Sequence, residues 1–277
     1  MTDAAARDPL DFVDTDSPLV GMVHLPPLPG APRYEGDREA VRGRAVADAE
    51  TLAEGGVDAV LVENFGDAPF YPDDVPKHVV SELTAAVGAV RRAVDLPVGV
   101  NVLRNDAEAA LSVAAAAGAS FVRVNVHSGA RVTDQGVVEG RAHETMRLRE
   151  RIDAADVRVF ADVDVKHSAP LSSRDSLDDA VAETVERGLA DGLIVSGAGT
   201  GEAVDADRLR RVVDRRDDLG LDAPVLVGSG VTTDSVADLL SVADGAIVGT
   251  ALKEDGVTTN PVDRERVVAL VSAAAGR

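Results

Sequence analysis

Five polar residues fall where short apolar runs of this chain end, and their types suit proton transfer: His24, Glu63, His127, Asp164 and Lys166. Carboxylates beside imidazoles and an ammonium can divide general acid and base work. Lys166 suits either a cation beside a developing oxyanion or a Schiff-base amine. His24, Glu63, His127 and Asp164 are also metal-ligand types. No HxH or HExxH spacing fixes a metal site, so a divalent ion stays an option and no cofactor is predicted. Asn101, Arg104, Asn125 and Ser196 end or follow neighbouring runs and are the substrate-binding candidates.

A second chemistry lies in the C-terminal half. Three successive apolar runs end in small residues: Ser196, Gly197, Gly199 and Thr200; Gly228, Ser229 and Gly230; Gly249 and Thr250. Glycine lets the backbone approach an anion, and N–H groups at the next helix start point toward it. One such loop is an ordinary tight turn. Three in a row favour a phosphate grip of the kind a (β/α)8 barrel builds from its last βα-loops.

The elements that must position these groups are legible as an alternation. Strand candidates are Leu19–His24, Ala59–Asn64, Val98–Arg104, Phe121–His127, Val157–Lys166, Gly192–Ser196, Val225–Gly228 and Ala246–Gly249. Helical patterns follow each, around 39–55, 78–94, 107–118, 142–154, 176–189, 205–217, 234–242 and 263–275. Eight Val-rich βα units without hairpins between them predict a single (β/α)8 TIM barrel over 18–277, preceded by a loose arm, 1–17. An open dinucleotide-binding sheet would want a glycine fingerprint after the first strand, where the chain reads HLPPLPG. Gly197-Ala-Gly199-Thr-Gly201 lacks the third glycine at the required spacing, since Glu202 stands there. The stretch Ser128–Gly140 reads as a small hairpin around Val132–Val138. It and the proline-rich loop Pro26–Gly30 lie on the face where barrels keep their active sites, where each is either a ligand cover or simple ornament.

Period-2 alternation then sorts the strands. Phe121, Arg123, Asn125 and His127 form one row, and Phe160, Asp162, Asp164 and Lys166 another. These polar rows must face the barrel lumen, because the outer face meets apolar helices. Arg123 and Asp162 lie deeper and read as a buried ion pair filling the barrel; the strand-end residues read as ligand contacts.

The 277-residue chain carries 48 Asp+Glu against 28 Lys+Arg, a formal charge of −20. Such a field repels nucleic acid and anionic membranes, so neither is an expected partner. Its few lysines include Lys77, Lys166 and Lys253, each at or soon after a strand end; Lys77 and Lys253 read as partners of helix or loop carboxylates. An acidic, lysine-poor composition suits a halophilic cytoplasm. Cysteine is absent, which excludes disulfides and thiolate metal sites. No apolar run approaches the ~20 residues of a membrane span, and the acidic N-terminus lacks a signal peptide's basic start. Cytoplasmic localisation is expected, and a homo-oligomer is compatible with this composition.

The chain resembles the BtpA/SgcQ family. The resemblance rests on Val20-Gly-Met-Val-His-Leu-Pro-Pro-Leu-Pro-Gly30, Val62-Glu-Asn-Phe-Gly66, Gly99-Val-Asn-Val-Leu-Arg104, Phe121-Val-Arg-Val-Asn125, Asp162-Val-Asp-Val-Lys-His167 and Val227-Gly-Ser-Gly-Val231. It spans Pro18 to Leu252 and implies a ribulose-phosphate-binding-type barrel. It also brings a photosystem I biogenesis label from photosynthetic relatives and a sugar-metabolism setting from another, with no catalytic residue set. Two functions therefore compete. The first is an enzyme on a phosphorylated sugar or nucleoside, working by aldol-type cleavage or isomerisation. The second is a non-catalytic assembly or stability factor of the photosystem I biogenesis type.

Overall fold

The computed structural model describes residues 8–165, 167–171, 176–197 and 204–276. The chain alternates strands and helices as β1 (Leu19–His24), α1 (Arg38–Gly55), β2 (Ala59–Glu63), α2 (Lys77–Ala93), β3 (Val98–Asn101), α3 (Ala107–Ala117) and β4 (Phe121–Val124). A hairpin of β5 (Ala130–Thr133) and β6 (Gly136–Glu139) precedes α4 (Ala142–Arg151), β7 (Arg158–Asp164), the short β8 (Ala169–Pro170) and α5 (Leu177–Ala182). Then come β9 (Gly192–Val195), α6 (Ala206–Asp218), β10 (Val225–Gly228), α7 (Val236–Leu240), β11 (Gly245–Val248) and α8 (Arg264–Ala275). Strands β1, β2, β3, β4, β7, β9, β10 and β11 pair in parallel, in that order, and β11 closes on β1. The fold is a (β/α)8 TIM barrel.

Local chemistry explains the helix starts. Asp37, Asp106, Asp205 and Asp263 each accept an amide of the first helical turn, so part of the chain's acidic excess serves as N-caps. Outward-facing Val60, Val62, Val98, Val100, Val122 and Val124 are buried under the helices, each worth about 1.5–3 kcal/mol of apolar transfer. The aspartates that open three strands act as stitches at the N-terminal rim. Asp58, Asp191 and Asp244 each take the amide of the preceding barrel strand's start (Leu19, Val159 and Val225) at 2.7 Å. Stability devices thus gather at one end of the barrel and leave the other to the βα-loops.

The lumen floor is aromatic. Phe121 and Phe160 meet edge to face with centroids 5.8 Å apart, and they fit because their strand neighbours are glycines. A Cβ on Gly99 would fall 2.2 Å from the Phe121 ring, and one on Gly192 2.5 Å from that of Phe160. The N-terminal arm is not loose from residue 8 onward. Phe12 stacks on Phe121 at 5.0 Å, and Asp11 pairs with the buried Arg158 at 2.7 Å. Together they stopper the N-terminal mouth.

The hairpin forms at the other mouth, where β8 adds a third antiparallel strand to β5. Its Val138 packs on Val126 and Val165. Among the described residues, no helix is long and apolar enough to cross a membrane.

Candidate active site

The C-terminal ends of the barrel strands converge on a buried polar network. Arg123 reaches across to the next strand, its Nη2 donating to both Asp162 carboxylate oxygens at 2.9 and 3.1 Å and to Ser196 Oγ at 3.2 Å. Asn125 Nδ2 donates to Asp162 Oδ2 at 2.8 Å, and Asn101 Nδ2 to Asn125 Oδ1 at 3.1 Å. A charge-assisted set with this many shared partners is rigid. Among the described residues, Arg123 Nε is buried without a hydrogen-bond partner.

Above this network stand His24 and Glu63, on adjacent strands paired residue for residue. His24 Nε2 lies 3.8 Å from Glu63 Oε1, and both side chains are more than nine-tenths buried. Arg104 follows β3 and is buried. Burial pulls its guanidinium pKa below the ordinary value, while Asp162 and Glu63 push it back up.

Two cavities open from this point. The smaller, about 140 Å³, is lined by Arg123, Ser229, Gly230, Gly249 and Thr250. Ser229 and Gly230 both adopt positive φ, 84° and 72°, a turn that bends the backbone around the cavity after β10. The Gly197 amide donates to Ser229 Oγ at 3.2 Å and ties the loop after β9 to it. The larger cavity, about 810 Å³, runs under the proline-rich loop past Pro26, Phe65, Phe70 and Arg104. His24 and Glu63 line both cavities.

The structure therefore gathers His24, Glu63, Asn101, Arg104, Asn125, Ser196, Gly197, Gly228, Ser229, Gly230, Gly249 and Thr250 around one mouth. It does not bring His127 there. The parallel ladder of the fourth strand ends at Val124. Beyond it the backbone of Val126 pairs with the side-chain amide of Asn105, at 2.7 and 2.9 Å. The alternation that predicted a lumen-facing residue stops there. His127 instead places Nε2 2.8 Å from the carbonyl of Gly188, at the end of the π turn that extends α5. Burial lowers its pKa below 6.5.

The backbone of Asp164 ends β7 opposite Val195 after a bulge; its side chain lies outside the described set. Lys166, Gly199 and Thr200 also lie outside the described residues. Among those described, no group of three or more His, Asp or Glu residues is placed to hold a metal ion. Lys253 is fully buried and bonds Asp48 at 3.0 Å.

Sequence reasoning missed the far wall of the larger cavity: Arg33, Tyr34, Phe65 and Phe70. For the aromatics the signal is scarcity, since the chain has only five Phe, two Tyr and no Trp, and Phe65 also lies in the Val62–Gly66 string.

A family model for the BtpA family matches residues 15–276. The chain belongs to the BtpA family. Among relatives, an uncharacterized protein of Thermococcus kodakarensis is 49% identical over 257 residues, covering 93% of this chain and 95% of that protein. The photosystem I biogenesis protein BtpA of a Synechocystis strain is 44% identical over 261 residues, covering 94% and 89%. Among solved structures, the thiamine phosphate pyrophosphorylase of Pyrococcus furiosus superposes with a TM-score of 0.55 at 16% identity. That match covers 94% of this chain and 96% of the other. For this BtpA-family chain the structural likeness speaks to the fold alone.

Proposed function

We propose that the chain is an enzyme acting on a phosphorylated small metabolite, with its phosphate in the smaller cavity and its reacting carbon before His24 and Glu63. The observation that carries the reading is that these two residues wall both cavities. A ligand anchored in the small cavity must pass them to reach the large one. Backbone N–H groups around Gly230 and Gly249 and the Thr250 hydroxyl supply the anion's donors, and the Arg123 charge favours it from below.

The chemistry that suits this placing is aldol-type cleavage or isomerisation. Glu63 takes a proton from the carbon next to a carbonyl, the C–H electron pair moves into an enolate, and the Arg104 charge balances the enolate oxygen. His24 stands beside Glu63 to relay the proton. Lys166 remains the candidate for a catalytic cation or amine, with Asp164 as its companion.

A thermal-shift panel of inorganic phosphate, sugar phosphates and nucleotides tests the reading, with Gly249→Asp as the control that places a carboxylate in the grip. Binding raises Tm by about 2 °C or more for at least one phosphorylated compound in the native chain and none in the variant. A panel without any shift sinks the reading.

The competing reading, a non-catalytic assembly or stability factor, draws on the outer face of the hairpin sheet, where Val132, Val137 and Leu171 are exposed. A co-purifying protein partner together with a silent panel would favour it.

A further inference from the structure

The aromatic residues of this chain are distributed in a way that packing alone does not require. The core between strands and helices is filled with Val, Ala and Leu, together with Met146. Of the five Phe and two Tyr, Phe12, Phe121 and Phe160 form the lumen floor. Three of the remaining four, Tyr34, Phe65 and Phe70, line one cavity, the larger of the two that His24 and Glu63 share. They reach it from separate segments, the loop before α1 and the loop after β2. All three are only half-buried.

The cavity holds about 810 Å³, within the roughly 300–1,000 Å³ of small-molecule sites. A triose or pentose phosphate held in the small cavity would leave most of that volume to water. Pro26, Pro27 and Leu103 add apolar surface beside the aromatics, and Arg33, Glu35, Asp37, Arg44 and Arg104 bring charge to the same cavity. The His24 ring lies 4.9 Å from that of Phe65, so the aromatic wall begins at the catalytic pair itself.

We infer that the ligand is a phosphate ester carrying a planar ring: a nucleoside 5′-monophosphate or a compound of the same ring–ribose–phosphate build. This deepens the phosphorylated-substrate reading and rests on it. The phosphate takes the small cavity and the ribose passes His24 and Glu63. The ring lies against Phe65 and Phe70. Ring-on-aromatic contact suits any base.

Isothermal titration of the full chain with ribose 5-phosphate, nicotinamide mononucleotide and the four common ribonucleoside 5′-monophosphates tests this, alongside Phe70→Leu and Phe65→Leu. At least one ring-bearing phosphate is expected to bind about tenfold or more tighter than ribose 5-phosphate. That advantage shrinks in each variant. Affinity for ribose 5-phosphate stays as it was in both variants. Ribose 5-phosphate binding as tightly as every ring-bearing compound overturns the ring inference and leaves the phosphate site standing. Binding by none of the six overturns both. An advantage that survives both substitutions places the ring elsewhere and overturns the inference too.

Discussion

Asp48→Asn should be among the most damaging single substitutions outside the lumen, and it should damage the site as well as the fold. Asp48, on α1, takes Lys253 Nζ at 3.0 Å, Arg44 Nε at 3.0 Å and the Val262 amide at 2.9 Å. Lys253 has no exposed side-chain surface, and it follows Thr250 of the phosphate grip by one short turn. Replacing the carboxylate leaves a buried ammonium beside Arg44 with no counter-charge, which costs about 3–5 kcal/mol. At about 2–4 °C per kcal/mol for a chain of this size, Tm falls by roughly 6–20 °C.

Lys253→Met is milder, about 1.5–3 kcal/mol, because Asp48 keeps Arg44 and the amide. The pH dependence separates the two. Burial already holds the Lys253 pKa below 10.5, with Asp48 pushing it back up. Without Asp48 it falls further, so the folded lysine holds fewer protons than the unfolded one. Stability of Asp48→Asn therefore rises as pH is raised toward 10.5. Urea midpoints at pH 7 and pH 9.5 measure this. The reasoning fails if Lys253→Met proves the worse variant, or if Asp48→Asn loses ground to the native chain on the alkaline side.

His127→Gln should leave ligand-induced thermal shifts unchanged and flatten the acid limb of stability. The native imidazole titrates below 6.5 in the fold, so the folded chain binds fewer protons and stability drops as pH falls through 6.5. Urea midpoints at pH 7.5 and 5.5 read both effects. Phe12→Ala should cost about 2–3 kcal/mol, below the roughly 3–5 kcal/mol of a fully buried phenylalanine because the ring is half-buried, with ligand affinity intact by titration. Gly66→Ala should cut ligand affinity, because its Cβ would sit 2.4 Å from the backbone nitrogen of Pro27 and push the proline-rich loop off the large cavity. Unchanged affinity in a folded Gly66→Ala chain would refute that role for the loop.

Much of the barrel was legible because its apolar runs end on strong punctuation. β1 stops at His24 before a Leu-Pro-Pro, and β10 at Gly228, and both bounds match the runs seen in sequence. Alternation also foretold the Arg123–Asp162 pair, since opposite charges facing inward on neighbouring strands must neutralise each other in a buried lumen. It failed one turn later because a side chain, Asn105, replaced the strand partner of Val126, and no strand pattern encodes that substitution. β8 escaped notice because two residues carry no period. The large cavity was illegible for another reason: its wall comes from residues 33–34, 65–70 and 103–104, which only barrel closure brings together. The arm was misread as loose because a lone Phe12 among acidic residues shows no periodicity, and the floor that receives it is made more than a hundred residues later.

That last distance has a consequence for how the chain matures. The Asp11–Arg158 contact spans 147 positions, so the first described residues to leave the ribosome have no berth until β7 has emerged. The arm must wait, exposed, while half the barrel is assembled, and it docks only on a floor whose two phenylalanines are already in register. A barrel with a slipped β4 or β7 would offer Phe12 and Asp11 no berth, so docking of the arm reports that the two strands are in register.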